Sequence, residues 1–230
     1  MKNKMPPEVV HFYNDNKGLI ESSDYKTLFE KWVDFITDDE EIDTEDVVGF
    51  DPISLLYSVG VSTEEFLKDF NETTDMFTWV DIEEVTIPDN IDTIQEESFA
   101  LNGKLKRVNL PKSIKLNTAC FEATGLEEIT IPGGTEFVGN GYQFARNDDL
   151  KKVVIEEGVT NIPPCCFLEC DDMEELYIPK SVKQIDDTAF MGLGYKLKKV
   201  VIPRRFEDRL ENDNLIEYLT VDTDKIVTYI

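Results

Sequence analysis

A six-residue phrase constrains this chain more than any other feature. Ile82-Glu83-Glu84-Val85-Thr86-Ile87 recurs from Leu105, Leu126, Leu150, Met173 and Leu197, each time as apolar, two charged residues, apolar, any residue, apolar. The steps are 23, 21, 24, 23 and 24 residues. A unit this short cannot bury its own apolar face, so self-similarity at this period points to coils stacked as a solenoid. Solenoids display surfaces, and the function expected from one is binding.

Within the phrase, period-2 alternation sends the fourth and sixth residues to one face of a short strand and the third and fifth to the other. The inward set is expected to be core: Val85 and Ile87, Val108 and Leu110, Ile129 and Ile131, Val153 and Ile155, Leu176 and Ile178, Val200 and Ile202. Proline follows five of the six strands, at Pro88, Pro111, Pro132, Pro179 and Pro203. It has no N–H to donate, so the ladder stops there; Glu156 is the exception. Sixteen to eighteen residues into each of the first five units stands one phenylalanine, Phe99, Phe121, Phe144, Phe167 or Phe190. These predict a stacked column in which each ring contributes roughly 1.5–3 kcal/mol by burial. The preceding residue is small in four units (Ser98, Cys120, Cys166, Ala189), and Gln143 departs.

These features resemble the BspA-like leucine-rich repeats, whose pattern runs leucine, two polar residues, aliphatic, any residue, Ile-Pro, then Val-x-x-Ile, then Ala-Phe. Ile91 with Ile94, Val159 with Ile162 and Val182 with Ile185 fill the middle pair, and Ala189-Phe190 reproduces the turn. The resemblance covers residues 77 to about 205. It implies a leucine-rich-repeat solenoid of about six to seven coils, and with the small helical region read from the residues before it the chain is expected to be α+β. It also implies adhesion or interaction roles rather than one shared activity.

The expected organisation is an acidic helical N-terminal domain or cap over residues 1–76, repeats over 77–205, and a degenerate last coil with a C-terminal capping strand over 206–230. In the first segment Ser23 is placed to cap a helix carrying Leu28, Phe29, Trp32, Val33 and Ile36. Asp51-Pro52 starts a second helix, and Ser62 with Glu65 forms a capping box flanked by Val61 and Phe66. The last segment keeps the repeat's spacing at Ile216, Leu219 and Val221 and ends in Ile226-Val227-Thr228-Tyr229-Ile230.

Charge narrows the partner. The 48 acidic and 23 basic residues give a net −25, which repels nucleic-acid phosphates and anionic lipid, so no direct nucleic-acid or membrane partner is expected. Residues 1–76 hold 19 acids and 6 bases, and seven acids fall within 38–46: Asp38, Asp39, Glu40, Glu41, Asp43, Glu45 and Asp46. Such a run is ordinarily a solvated loop. Read functionally, it engages a basic protein surface or imitates phosphates in a nucleic-acid channel. No apolar run follows the N-terminus, so the sequence reads as cytoplasmic, and the sequon Asn71-Glu72-Thr73 is then idle.

The charges inside the phrases alternate, from Glu83-Glu84 through Lys106-Arg107, Glu127-Glu128, Lys151-Lys152 and Glu174-Glu175 to Lys198-Lys199. Strands stacked about 4.8 Å apart then set opposite signs side by side and fix register. The outward fifth position reads Thr86, Asn109, Thr130, Val154, Tyr177, Val201. Tyr177 between two valines is either an interaction anchor or ordinary strand preference beneath a folded-back C-terminus.

Catalysis finds no constellation: one histidine, His11, and glycines at 133–134 and 139–141 that match no phosphate-binding fingerprint. Cys120, Cys165, Cys166 and Cys170 fit core positions better than a metal site, because no second Cys or His pair completes tetrahedral spacing. The sequence therefore reads as a non-enzymatic protein–protein interaction module without cofactor or metal. The alternative is an acidic nucleic-acid-mimicking inhibitor of a host nucleic-acid-binding or defence protein.

Overall fold

A computed structural model describes residues 5–38, 51–70, 80, 82–212, 215 and 226–230. The phrases form one row of parallel strands: β1 (Glu84–Thr86), β3 (Arg107–Asn109), β5 (Glu128–Ile131), β7 (Lys152–Ile155), β9 (Glu175–Tyr177) and β11 (Lys199–Ile202), with β12 (Val227–Tyr229) beside the last. Residues later in five of the coils form further short parallel strands that the alternation argument does not anticipate, in two groups, β2 (Thr93–Ile94), β4 (Ser113–Leu116) and β6 (Gly134–Phe137), then β8 (Asn161–Ile162) and β10 (Gln184–Ile185). These strands are two to four residues long.

Between the rows the phenylalanines stack as expected. Ring centroids from Phe99 to Phe190 are 5.4–5.6 Å apart with interplanar angles of 5–9°. The backbone stacks with them: the N–H of Phe99, Phe121, Phe144 and Phe167 each donates to a carbonyl of the next coil, at 2.9 Å. To turn this tightly, residues two before and two after the ring adopt left-handed φ, as at Ala119 and Ala123 or Tyr142 and Arg146. That conformation is costly for L-residues outside Gly, Asn and Asp and persists only under packing constraint.

Beside the rings runs a buried polar spine that the sequence reading did not single out. Asn102 donates to the Phe99 carbonyl, and Asn147 donates to those of Phe121 and Phe144 while accepting from the backbone N–H and hydroxyl of Thr124. One coil on, the Cys170 thiol donates to the Phe144 carbonyl at 3.2 Å. All four cysteines are buried free thiols. Burial raises the Cys166 thiol well above its usual range and pushes Cys170 up to about 12, so these side chains pack as neutral groups.

One rung is open. No ladder joins β3 to β5, and the coil between them is the shortest, at 21 residues. A coil short by two residues does not hold its strand level with both neighbours. Leu110, expected in the core, is accordingly only half-buried. Val108 keeps 8% exposure where Val85, Val153 and Val200 keep none.

Both ends of the stack are covered. The N-terminal helices are α1 (Pro7–Asp15), α2 (Lys17–Glu21), α3 (Tyr25–Asp38), α4 (Pro52–Ser58) and α5 (Thr63–Leu67). Asp51 and Ser62 cap α4 and α5 as expected. Ser23 does not cap α3: it sits at φ 58°, and Asp24 accepts the Thr27 N–H instead, because a carboxylate one residue nearer reaches the first turn. The Thr63 hydroxyl accepts the edge N–H of Thr86 at 2.9 Å from one period upstream, and Asn90 donates to the Leu67, Lys68 and Phe70 carbonyls. Thus α5 stands where a preceding strand would lie, and one cluster of buried side chains runs from Val9 to Leu215.

At the other end the chain does not go straight into another coil. A short 3-10 turn, Arg204–Phe206, leads into α6 (Glu207–Asn212), and β12 then pairs with β11. Ile216, Leu219 and Val221 lie outside the described residues. The Arg205 guanidinium donates to the Val182 and Lys180 carbonyls at 3.4 and 3.0 Å, and Arg209 to the Ile185 carbonyl at 2.7 Å. In the previous coil the Ile162 carbonyl accepts from Asp186 N–H, so Arg209 supplies what the amide of a further coil would supply. Arg209→Ala leaves the Ile185 acceptor open and is expected to cost about 1–3 kcal/mol, read as a lower midpoint in urea, with Arg209→Lys recovering part of the loss. An unchanged midpoint would show that the edge carbonyl is satisfied without the guanidinium.

Candidate functional site

The outward face of the strand row carries the residues singled out from sequence. Backbone register places Glu84 opposite Arg107, Glu128 opposite Lys152, and Glu175 opposite both Lys152 and Lys199. Ion pairs follow at Arg107–Glu84 (3.1 Å), Lys106–Glu127 (3.6 Å) and Lys198–Glu174 (2.8 Å). Hydrogen bonds from Arg107 and then Asn109 hold the Glu84 carboxyl below its usual range. These charges serve register, as the alternation suggests.

Two lysines do something else. The Lys152 and Lys199 ammoniums lie 5.8 and 4.8 Å from the centroid of the Tyr177 ring, and no carboxylate among the described residues lies within ion-pair distance of either. The Tyr177 hydroxyl donates to Glu175 Oε2 at 2.7 Å, so the tyrosine occupies the carboxylate that stands between the lysines in register. Its oxygen in turn raises Lys199 above the usual lysine range. Tyr177, Val154 and Val201 are half-buried and adjacent along the sheet, with Thr228 of β12 next in the row. The lysine stems and neighbouring strands cover part of the ring.

The row continues into the open rung. Val154 and Lys152 border a cleft of about 480 Å³ whose far wall is Asn109, Leu110 and Lys112. The acidic run belongs to no such surface in the described structure: Asp38 ends α3, and Asp39, Glu40, Glu41, Asp43, Glu45 and Asp46 lie outside the described residues, as does the 71–73 sequon. Among the described residues no group of three His, Cys, Asp or Glu side chains is placed to hold a metal ion. No helix there is long and apolar enough to cross a membrane.

The family model for the BspA type leucine rich repeat region matches residues 73–196 in six copies, more than half of the 230 residues. The chain belongs to the BspA-type leucine-rich repeat family. The BspA-type chain is similar to the pneumococcal vaccine antigen PcpA, at 26% identity over 54% of this chain and 31% of that one, with a TM-score of 0.44. It is similar to a leucine-rich repeat protein from Bacteroides ovatus, at 21% identity over 52% and 39% of the two chains, TM-score 0.38. It is also similar to a leucine rich cell surface protein from Faecalibacterium prausnitzii, at 16% identity over 57% and 56%, TM-score 0.28. The chain thus spans 31% and 39% of the length of the first two. No curated protein matches it.

The sequence alone does not show the Lys152–Tyr177–Lys199 grouping, because each lysine has a facing glutamate in the alternation. The signal available was Tyr177 itself, the one aromatic in a column of small or aliphatic residues.

Proposed function

We propose that this BspA-type protein is a non-enzymatic protein–protein interaction module, and that its contact surface is the strand face centred on Tyr177. The observation that carries the reading is a half-buried aromatic in a row with two valines, beside a cleft, on a face whose twelve phrase charges cancel while the chain carries −25. The strand face is the part of the surface where charge matters least, and an aromatic anchor with apolar flanks is where binding energy concentrates. The partner in this reading is a protein, and the overall charge disfavours nucleic acid and anionic membrane.

Affinity capture from the source organism with wild-type and Tyr177→Ala bait, quantified by mass spectrometry and paired with thermal melts, tests the reading. A protein enriched by wild type and lost from an equally folded Tyr177→Ala bait is the expected result. The second reading, an acidic nucleic-acid-mimicking inhibitor active from the cytoplasm, is supported by net charge and by the run from Asp38 to Asp46. It expects the partner to be lost when Asp38, Asp39, Glu40 and Glu41 become Asn and Gln, and to dissociate steeply with salt. If that variant loses the partner while Tyr177→Ala keeps it, the strand face is not the contact surface.

A further inference from the structure

The interaction reading leaves the partner's chemistry open, and the two lysines beside Tyr177 narrow it. In an alternating ladder each lysine ordinarily spends its charge on the glutamate of the neighbouring strand. Lys106 and Lys198 do so, whereas Lys152 and Lys199 lean over an aromatic ring from its two sides. The carboxylate in register with both, Glu175, accepts a hydrogen bond from the Tyr177 hydroxyl instead. A cation over an aromatic ring is held more weakly than one hydrogen-bonded to a carboxylate. Lys112, across the adjoining cleft, is likewise without an ion pair among the described residues. The C-terminal half of the face, from the Lys151-Lys152 pair through Glu174-Glu175 to Lys198-Lys199, holds four lysines against two glutamates, a local excess of positive charge on a chain of net −25.

We propose that this part of the strand face takes an acidic protein segment, whose carboxylates meet Lys152 and Lys199 while its apolar side chains lie on Val154, Tyr177 and Val201. The proposal rests on the interaction-module reading and deepens it. It replaces the basic partner suggested by overall charge with an acidic one, because what a partner meets at short range is the local surface and not the net charge. The overall −25 slows the approach of such a segment and limits which acidic segments bind, a device against non-specific acidic chains.

Two blocked five-residue peptides separate the possibilities, one alternating valine with glutamate and the other valine with lysine. Each is titrated into 15N-labelled protein at physiological salt and followed through the backbone amide shifts of Val154, Tyr177 and Val201. The glutamate peptide is expected to move these amides saturably and the lysine peptide to leave them in place. Lys152→Gln with Lys199→Gln should weaken the glutamate peptide by about tenfold, and Glu175→Gln should strengthen it by removing the competing carboxylate. Wild-type melting behaviour in both variants excludes unfolding as the cause. Equal or preferred binding of the lysine peptide, no shift with either peptide, or an unchanged affinity in the lysine variant would overturn the proposal. The outcomes also separate from those of the broader reading: a captured partner that depends on Tyr177 while the lysine peptide wins keeps the interaction module and removes its preference for acids.

Discussion

Phe144→Ala is expected to remove roughly 3–5 kcal/mol of stability, the range for deleting a fully buried aromatic. The ring sits in the middle of the column, 5.6 Å from Phe121 and 5.6 Å from Phe167 at an interplanar angle of 7° in both directions. The hole is walled by neighbours that are themselves stacked and cannot all shift into it. Because each coil touches only the next, the loss falls on the coupling between two halves of the solenoid, and the urea transition should broaden or split. Thr130→Ala, on the outer face of the same coil, should stay within about 0.5 kcal/mol of wild type. Equal, small losses in the two variants would mean that the column is not what holds the coils together.

The repeat was legible because its determinants are local and recur: apolar alternation in six phrases, a closing proline in five and a phenylalanine in five specify the strand row, the turn and the stacked rings without reference to the rest of the chain. Features that depend on departures from the repeat were not. Leu110 obeys the pattern yet is half-buried, since its exposure follows from the length of the coil around it. Lys152 and Lys199 obey the charge alternation as well; only the side-chain geometry shows them on Tyr177 rather than on Glu175. Ser23 and Asp24 both suit an N-cap, and which one caps is settled by the left-handed backbone at Ser23. Arg205 and Arg209 belong to no sequence pattern, because capping the last coil's carbonyls requires knowing where that coil ends. The candidate face was therefore half-visible: its apolar row could be read from spacing, its chemistry could not.

Asn147→Leu tests the second element of the core, the polar spine, and its effect should rival that of the phenylalanine. The Asn147 amide is fully buried. It donates to the Phe121 and Phe144 carbonyls at 2.9 Å each and accepts from Thr124, whose backbone N–H approaches to 2.8 Å. Leucine keeps the branched shape and the number of side-chain heavy atoms but removes all of these bonds, leaving the Phe121 carbonyl and the Thr124 N–H and hydroxyl buried without Asn147, while the Phe144 carbonyl keeps the Cys170 thiol. Each orphaned group costs about 1–3 kcal/mol, so with partial relaxation the total should reach roughly 3 kcal/mol or more. The molecule supplies its own control. One coil later the corresponding residue is Cys170, whose thiol satisfies the Phe144 carbonyl, so Asn147→Cys should keep one bond, to the Phe121 carbonyl, and lose less than leucine does. Equilibrium urea melts of the three proteins give the order wild type, then cysteine, then leucine. If leucine proved as stable as wild type, the stacked amides of the turn would not need the spine, and the phenylalanine column alone would account for the cohesion of the coils.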